Sequence, residues 1–455
     1  MDLTPSKIFD EYQKNNIDKL TASDFLISII ENSDNNKARV ACIENLEKIG
    51  IKNIKTFKLL ESLLISDSNE EVRVAAAKNL SSNFIDKGEV LEPMKWVILH
   101  ENSPVCLKVI YETLITIISN LVKSNDNLAK IILLEEVKQI KQKDFKIGIE
   151  IISETIHLNS FEKEELADIL INFYTISLLE KTYWRLKYQI ENCNIMELDF
   201  IFKGLTNMPE AIKNLKYLKK LIFRYNQLIS IPDWIDRISS LEILNLNVNN
   251  ISTLPESIGF LSSLKELLLW KNELTTLPGT ITSLSSLEVL NLRINHLKSL
   301  PESIGNLKSL KELNLHDNKI IKIPDSIGHL VSLEILNISW NELQDLPYSI
   351  GSLISLKILD LGKNGLVRIP SSIGSLSSLE ILNLNGNNIE FIPETIGNLS
   401  SLQILDLSGN KLKHLPESIT LISSLKEIYL SNNDLSDSAI TTLKRVESNG
   451  TKVFY

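Results

Sequence analysis

Seven aromatic, cationic and histidine side chains lie one or two residues before asparagines that recur every 23 residues. Tryptophan, tyrosine and arginine often dominate the binding energy of protein interfaces, because each combines a large contact area with a polar group. No matching set of acid, base and nucleophile accompanies them, so the pattern indicates recognition rather than catalysis. The predicted partner-binding residues are Arg224, Tyr225, Trp270, Lys271, Arg293, His316 and Trp340.

Motifs of known catalytic and metal sites are missing from the sequence. It contains no G-x-x-x-x-G-K-[ST] phosphate loop, no H-E-x-x-H, no G-x-S-x-G and no cysteine pairs at zinc spacing. Of the six histidines, only His296 and His316 fall in the same region, and two ligands without a third make a weak metal site. We therefore expect a protein that is not an enzyme and that needs no metal or cofactor.

A tandem repeat must position the binding residues. Ten asparagines follow one another at intervals of 23 residues, which predicts stacked units rather than a closed globular core. Alternation such as Leu313-Asn314-Leu315 predicts one strand in each unit. A buried amide needs hydrogen-bond partners, so we expect the asparagines to form a structural ladder that closes the turns. The ladder residues are Asn226, Asn249, Asn272, Asn295, Asn318, Asn341, Asn364, Asn387, Asn410 and Asn433.

The rest of each repeat should leave the strand. A proline follows each of the first nine asparagines by six residues, and a proline such as Pro324 lacks the backbone donor that regular pairing needs. A glycine four residues later, such as Gly328, is expected to allow a backbone angle that other residues resist.

This pattern resembles the leucine-rich repeat consensus L-x-x-L-x-x-L-x-L-x-x-N-x-L-x-x-L-P-x-x-I-G over ten consecutive copies. The repeat length is similar to that of the intracellular Ras-group and plant intracellular members of that family. The resemblance implies a curved solenoid with a parallel sheet on its concave face. It also implies a protein-binding role, with a small GTPase or its regulator as one kind of partner.

The side chains between the strand leucines should face the concave side, where Trp270 and Trp340 are expected to be exposed. The large and cationic ones fall in the first seven repeats, and glycine, serine and asparagine predominate from the eighth onward. A polar row lies four residues before the asparagines, and we expect it to be solvated, although it could also hold water or an ion. That row contains Asn245, Asn291, Asn314, Asn337, Asp360, Asn383 and Asp406.

Both ends of the array depart from the consensus. In an eleventh unit at the start, Leu198, Phe200, Leu205 and Pro209 fit the pattern, but Lys203 replaces the asparagine. At the other end, Ser436 can cap a short helix over 438–447, and 451–455 can form a last strand. We therefore predict a repeat domain over 191–455, with about 11 repeats and a helix–strand cap.

Residues 1–190 show helical spacing of apolar side chains instead. Evenly spaced copies, in which Leu46, Leu80 and Leu114 are equivalent, resemble HEAT repeats. The second helix of a HEAT repeat often begins D-x-x-x-V-R-x-x-A-A-x-x-L, and the matching residues are Val72, Arg73, Ala76, Ala77 and Leu80. The resemblance implies a HEAT- or armadillo-like superhelix, and an unrelated helical bundle is the alternative.

Two further helical segments are predicted in this part of the chain. A fourth helix pair is expected within 127–157. A long helical stretch over 161–191 is expected to carry the transition, with Tyr183, Trp184 and Tyr188 covering the open end of the sheet.

Net charge and cysteine content limit the kinds of partner and the cellular compartment that we expect. Residues 1–200 carry a net charge of −8 and residues 201–455 one of −1, which argues against general nucleic-acid binding and fits a basic protein partner. The segment 1–7 has no apolar signal core, and no stretch approaches the roughly 20 apolar residues needed to span a bilayer. Three scattered cysteines indicate reduced thiols and a cytoplasmic location.

We therefore interpret the chain as a scaffold or adaptor that binds a protein partner on the concave face, possible roles including intracellular signalling. Recognition of a glycan or nucleic acid, and a regulatory subunit of an enzyme complex, are the alternatives.

Overall fold

The computed structural model describes residues 4–85, 88–155 and 157–455. The chain divides into two compact units, Met1–Leu186 with Ile190–Ile195, and Lys187–Gln189 with Met196–Tyr455. The first unit is helical, and the second is built on a sheet of mostly parallel strands. The first three residues of the segment 1–7 lie outside the described residues, as does residue 156 of the segment 127–157.

The described part of the helical unit contains ten α-helices. Polar residues begin most of them: the side chains of Asn35, Asn69 and Ser103 each accept a hydrogen bond from the backbone N–H three residues later. The helices are α1 (Pro5–Gln13), α2 (Lys19–Asn32), α3 (Asn36–Ile49), α4 (Ile54–Ser66), α5 (Glu70–Phe84), α6 (Leu91–His100), α7 (Pro104–Lys123), α8 (Asn127–Lys138), α9 (Lys143–Thr155) and α10 (Lys163–Thr182).

Successive helices pack in pairs. Helix α2 packs against α3, α4 against α5 and α6 against α7, and the second members α3, α5 and α7 also pack side by side. Leu46, Leu80 and Leu114 occupy equivalent positions in these second members and are fully buried. Two helices form within 127–157, but α8 packs against α7 and α10, so the pattern of the first three pairs changes there.

Polar groups inside this unit join one pair to the next. The side-chain amide of Asn79 on α5 donates to the carbonyl of Ile43 on α3 at 2.9 Å, and Asn83 donates to the carbonyl of Glu47 at 3.1 Å. Because a buried amide without partners costs free energy, these bonds fix the register of α5 on α3.

Two ion pairs recur at equivalent positions of successive helix pairs. Arg39 pairs with Asp67, and Arg73 Nε lies 2.6 Å from Glu101 Oε2. Burial disfavours the ionised carboxylate of Glu101, but Arg73 and the backbone N–H groups of Ser103 and Asn102 outweigh it and lower the pKa of Glu101 to about 2. Each ion pair ties the second helix of one helix pair to the turn between the two helices of the next pair.

Helix α7 is long and apolar enough to cross a membrane by length and composition. It is the one such helix among the described residues, and the charged residues Lys108 and Glu112 interrupt its apolar run. In the helical unit α7 packs against α5, α6, α8 and α10, and residues such as Leu107, Ile110 and Leu114 are buried in the core. Its apolar composition is accounted for by that packing.

The predicted helix over 161–191 is wrong in its last part. Helix α10 ends at Thr182, and a hairpin of β1 (Lys187–Glu191) and β2 (Asn194–Asp199) follows. Its two-residue turn, Asn192-Cys193, has positive φ at both residues, as a type I′ turn requires. Trp184 is 74 % exposed, and Tyr188 lies on β1. The covering of the sheet end by Tyr183, Trp184 and Tyr188 stays a prediction.

Contacts in the helical unit hold this turn. Asn172 on α10 donates its amide to the carbonyl of Cys193 at 3.0 Å. A Cβ on Gly148 of α9 would lie 2.8 Å from the Cys193 sulfur, so glycine is needed for the turn to approach α9. Local sequence does not show this contact, which explains why the hairpin was missed.

The second unit carries a 13-stranded sheet in sequence order, with β2 to β13 parallel. Each repeat contributes one short strand, and neighbouring strands pair at a constant offset of one repeat length from β3 to β12. The remaining strands are β3 (Lys220–Ile222), β4 (Ile243–Asn245), β5 (Glu266–Leu268), β6 (Val289–Asn291), β7 (Glu312–Asn314), β8 (Ile335–Asn337), β9 (Ile358–Asp360), β10 (Ile381–Asn383), β11 (Ile404–Asp406), β12 (Glu427–Tyr429) and β13 (Lys452–Phe454).

Positions in each repeat are counted here from its asparagine, so that position −2 lies two residues before it. The apolar residues at −5 and −3, such as Leu313 and Leu315, are fully buried and form the core of the array. Proline then precedes a short 3-10 turn, as Pro324 does before Asp325–His329. This turn crosses the side of the array opposite the strands.

The recurrent glycines serve a different purpose from the predicted one. Gly328 does not have a positive φ; a Cβ there would lie 2.5 Å from the carbonyl oxygen of Ser349 in the next repeat. Glycine is therefore required because neighbouring 3-10 turns approach closely, and backbone angle is not the reason.

Each ladder asparagine connects two repeats through the backbone. Asn318 donates its amide to the carbonyls of Leu292 and Leu315, both at 3.0 Å, and its Oδ1 accepts from the N–H of Leu297 at 3.0 Å. Leu292 and Leu297 belong to the preceding repeat. The same three bonds recur at the other full repeats, for example at Asn387.

A second ladder connects repeats at position −7, where lysine and glutamate alternate. Lys311 Nζ lies 2.6 Å from Glu288 Oε2, and Lys357 Nζ lies 2.6 Å from Glu334 Oε2. Alternation places opposite charges on adjacent repeats and like charges two repeats apart. The alternating residues are Lys219, Glu242, Lys265, Glu288, Lys311, Glu334, Lys357 and Glu380.

The array ends in a helix and a strand. Helix α11 (Asp437–Ser448) is capped by Ser436, whose side chain accepts from the N–H of Ala439. Strand β13 then pairs in parallel with β12, and the rings of Phe454 and Tyr429 stack at 4.5 Å.

Replacing Asn318 by alanine should lower the free energy of unfolding of the repeat unit by about 3 kcal/mol. The buried N–H of Leu297 loses its acceptor, and the carbonyls of Leu292 and Leu315 each lose one of two asparagine donors. Urea denaturation followed by circular dichroism measures the change. Lys319→Ala, at the exposed neighbouring residue, is the control. Equal effects of the two substitutions would contradict a specific role of the amide.

Glu101→Gln should destabilise the helical unit by about 3 kcal/mol at neutral pH, since the carboxylate pKa is lower when folded than when unfolded. That contribution is complete above pH about 4.5 and disappears as pH falls through about 2. Hydrogen exchange of α5–α7 peptides should therefore accelerate in the variant, while repeat-unit peptides stay unchanged. Exposed Glu112→Gln is the control, and an equal acceleration in it would refute the prediction.

Candidate functional site

Strand geometry selects the exposed columns of the sheet. Because Leu313 at −5 points into the core, Glu312 at −6 and Asn314 at −4 point to the opposite face, which is the concave side of the curved array. Residue −2 continues that face beyond the end of the strand. The name concave face is used below for positions −6, −4, −2 and −1.

The polar row at −4 ends the strands. The side-chain oxygen of Asn314 accepts from the N–H of His316 at 3.1 Å, and that of Asn337 accepts from Ser339 at 3.0 Å. Asp360 and Asp406 do the same with Gly362 and Ser408. The row bonds mainly to the backbone two residues on, so its first role is to turn the chain out of the strand.

Every −1 residue from Phe202 to Asn432 has a left-handed backbone, with φ between 54° and 65°. Glycine adopts this conformation without strain, and Gly386 and Gly409 do so in two late repeats. A tryptophan or lysine there costs on the order of 1 kcal/mol, yet Trp340 and Lys363 occupy the position. Their large side chains are therefore not explained by the backbone.

A shallow depression of about 340 Å³ lies on the concave face. Three predicted binding residues border it: Arg293, His316 and Trp340. Gly362 leaves space in its floor, since a Cβ there would come within 2.9 Å of Asn385 Oδ1. The other lining residues are Asn314, Asn337, Ser339, Asp360, Lys363, Asn383 and Asn385.

His316 stands in a hydrogen-bonded chain at this depression. Ser339 Oγ lies 2.8 Å from His316 Nδ1 and donates to Asn337 Oδ1 at 2.6 Å, so the imidazole Nδ1 is left to donate to Ser339. Partial burial, and then the nearby Arg293 guanidinium, lower the pKa of His316. The imidazole is therefore neutral at physiological pH, and the positive charge of the depression comes from Arg293 and Lys363.

The other predicted residues lie outside the lining of this depression. Trp270 packs near Arg293, whose guanidinium carbon is 6.0 Å from the indole centre. Trp270 is only half-exposed, and its indole N–H is buried without a hydrogen-bond partner. The expectation that both tryptophans are exposed thus holds for Trp340, at 56 %, and is wrong for Trp270.

Arg224 and Tyr225 form a separate cluster near the start of the sheet. The Arg224 guanidinium lies 4.6 Å from the centre of the Tyr225 ring and donates to its hydroxyl at 3.0 Å. The Tyr225 ring stacks on Phe202 at 4.6 Å. Lys271 is exposed. The seven predicted residues therefore do not form one patch.

Comparison with known proteins agrees with this architecture. Family models described as leucine-rich repeat region match residues 235–318 and 302–386, and further leucine-rich-repeat models match 378–399 and 390–435. The second unit is a leucine-rich-repeat domain. A search of curated protein sequences gives no match to this chain.

Solved structures similar to this chain are also leucine-rich-repeat proteins. Toll of Drosophila, in complex with Spatzle, is 24 % identical over 56 % of this chain and 37 % of its own, with a TM-score of 0.51. A repeat protein of Leptospira interrogans is 27 % identical over 56 % and 82 %, with a TM-score of 0.39. The Arabidopsis receptor kinase HAESA is 32 % identical over 53 % and 47 %, with a TM-score of 0.47.

Sequence analysis missed an apolar stripe on the leucine-rich-repeat sheet. Ile335, Ile358, Ile381 and Ile404 occupy position −6 in four consecutive repeats and pair directly across neighbouring strands. All four are half-exposed on the concave face. At about 4.8 Å per strand the stripe is about 14 Å long. The repeat spacing of the four isoleucines is visible in the sequence, whereas their contact across neighbouring strands depends on the pairing register.

Acidic, cysteine and histidine side chains do not gather into a metal site within residues 4–85, 88–155 and 157–455. His296 instead lies 2.9 Å from Glu273, and His316 bonds to Ser339. What the leucine-rich-repeat face presents is a cationic and aromatic border, a polar floor and an apolar stripe, which suit recognition of another surface.

Removing the charge of Arg293 should raise the pKa of His316. NMR titration of ¹³C-labelled histidines in Arg293→Gln, assigned with His316→Gln, measures the shift. Because the folded pKa is depressed, the stability linked to His316 is complete above its unfolded value of 6.5 and declines as pH falls below it. Arg237→Gln, at an exposed arginine in a 3-10 turn, is the control. An unchanged titration in Arg293→Gln would show that burial alone depresses the pKa.

Proposed function

We propose that this protein is a non-enzymatic adaptor that holds a protein partner against the concave face of its leucine-rich repeats. The observation that carries the proposal is Trp340, a tryptophan 56 % exposed on a left-handed backbone beside the depression. An exposed indole at a strained position contributes little to folding, whereas it can bury a large area against a partner.

The surroundings of Trp340 have the composition of an interface. Arg293 and Lys363 provide cationic groups on its border, and Asp360 and Asn383 provide hydrogen-bonding groups in its floor. The isoleucine stripe adds apolar area in the same repeats. Binding hot spots combine such aromatic and arginine anchors with surrounding contacts that exclude water.

The resemblance of the 23-residue repeat to Ras-group leucine-rich-repeat proteins supports a small GTPase or its regulator as the first partner to test. The three cysteines support a cytoplasmic setting, since all are free and buried. Burial raises the pKa of each thiol to about 12, which suits unreactive thiols in a reducing compartment.

Trp340→Gly combined with Arg293→Ala should reduce partner capture at least ten-fold while leaving the fold intact, because hot-spot truncations each cost roughly 2 kcal/mol or more. Glycine suits the left-handed backbone, so loss of the indole should not destabilise the repeat. Quantitative mass spectrometry of proteins captured from cytosolic extract measures binding, and thermal unfolding measures stability.

The matched control removes two aromatic rings elsewhere. Phe260→Ala with Tyr348→Ala deletes exposed rings in the 3-10 turns and should leave capture unchanged. Capture that survives the Trp340–Arg293 variant, or falls equally in the control, would refute binding at the depression.

A further inference from the structure

A second depression, of about 1110 Å³, lies on the helical unit across one face of α3, α5 and the start of α7. We call it the helical groove. Its lining residues are Val40, Glu44, Glu47 and Lys48 of α3, Glu70, Glu71, Val74, Ala75, Lys78 and Ser82 of α5, and Val105 of α7.

The groove repeats one helical face. Val40 and Val74 are equivalent positions of successive helix pairs, and so are Glu71 and Val105. Because α3, α5 and α7 pack side by side, equivalent positions line up across the groove. A surface built from repeated positions is continuous over several helices, as the concave face is over several repeats.

The floor of the helical groove is apolar. Ala75 is buried, Val40 and Val74 are half-exposed, and Val105 is 57 % exposed at the second residue of α7. Neighbouring helix axes lie about 9 Å apart, so these side chains extend over roughly 18 Å. An apolar strip of this length can bury side chains from a chain segment laid across the helices.

Carboxylates predominate around the floor. Glu47 accepts from Ser82 Oγ and Glu70 from Ser103 Oγ, both at 2.7 Å, and both donors are neutral hydroxyls. Lys48, one of two lysines in the lining, lies 5.7 Å from the centre of the Phe9 ring. With four glutamates against two lysines, the groove attracts cationic groups.

We propose that the helical groove binds a segment of a partner protein in which lysine or arginine flanks apolar side chains. Its volume exceeds the roughly 300–1,000 Å³ typical of small-molecule pockets, and its negative charge disfavours nucleic acid. Because the floor of the groove is apolar, the bound segment must carry apolar side chains as well as positive charge. This surface is distinct from the concave face, so the proposal does not rest on the function proposed for that face.

The probe for this test is a short fluorescein-labelled peptide of lysine, leucine and alanine patterned at helical spacing. Anisotropy with the full chain should show saturable binding that weakens with salt. Glutamate in place of every lysine should abolish binding, and serine in place of every leucine should weaken it. Spermine, a cation without apolar groups, should compete poorly.

Groove variants locate the site. Glu44→Gln and Glu71→Gln should each weaken binding about two- to five-fold, as expected for exposed charge pairs, and Val105→Ser should weaken it further. Glu150→Gln, at an exposed residue of α9, changes the net charge by the same one unit outside the groove and should leave affinity unchanged. Hydrogen exchange of wild-type protein should show the peptide protecting α3 and α5 but not α9.

Each other outcome overturns the proposal. Absence of saturable binding would show that the groove has no affinity for basic amphipathic segments. Equal losses in the groove and α9 variants would show attraction to general surface charge. Equal binding of the glutamate peptide would remove the charge argument, and strong competition by spermine would reassign the groove to a small polycation.

Discussion

The ladder of asparagine side chains is the interaction on which the leucine-rich-repeat unit depends. Each amide joins its own turn to the backbone of the preceding repeat, as Asn318 does with Leu292 and Leu297. These bonds satisfy backbone groups that would otherwise be buried without partners. Because the same bonds recur in each repeat, every repeat is offset from the preceding one by the same distance. The constant pairing offset of the strands and the regular concave face follow from that constant distance.

Because the backbone of the repeats is regular, the residue types at exposed positions can vary without changing the fold. The −1 position is left-handed in every repeat, and glycine would satisfy it without strain. Trp340 and Lys363 are therefore informative, because the fold does not require them. The isoleucine stripe and the Gly362 floor add shape to the same surface, so one region of the array differs from its neighbours while the scaffold remains constant.

The helical unit uses the same principle with a different period. Asn79 bonds the backbone of the preceding helix pair, and the ion pairs Arg39–Asp67 and Arg73–Glu101 recur at equivalent positions. Buried polar groups of this kind stabilise only the packing in which they find hydrogen-bond or ion-pair partners. They therefore fix the register of each helix on the preceding one. The repeated face so produced carries the helical groove, much as the repeated strand carries the concave face.

Sequence alone determined the periods, the fold class and most element positions, because those follow from local spacing and from the polar needs of buried asparagines. It placed the ladder and predicted the C-terminal helix capped by Ser436 and the strand within 451–455. It also selected Arg293, His316 and Trp340, although it grouped them with Arg224 and Tyr225, which form another cluster.

Only the tertiary structure decided features that depend on contacts between distant residues. The hairpin at Asn192-Cys193 requires α9 and α10, the recurrent glycines are explained by neighbouring turns, and the half-burial of Trp270 depends on adjacent repeats. Position −6 became a stripe because parallel pairing places four isoleucines side by side. Periodicity specifies which residues are equivalent, whereas packing decides which equivalent residues meet and which are exposed.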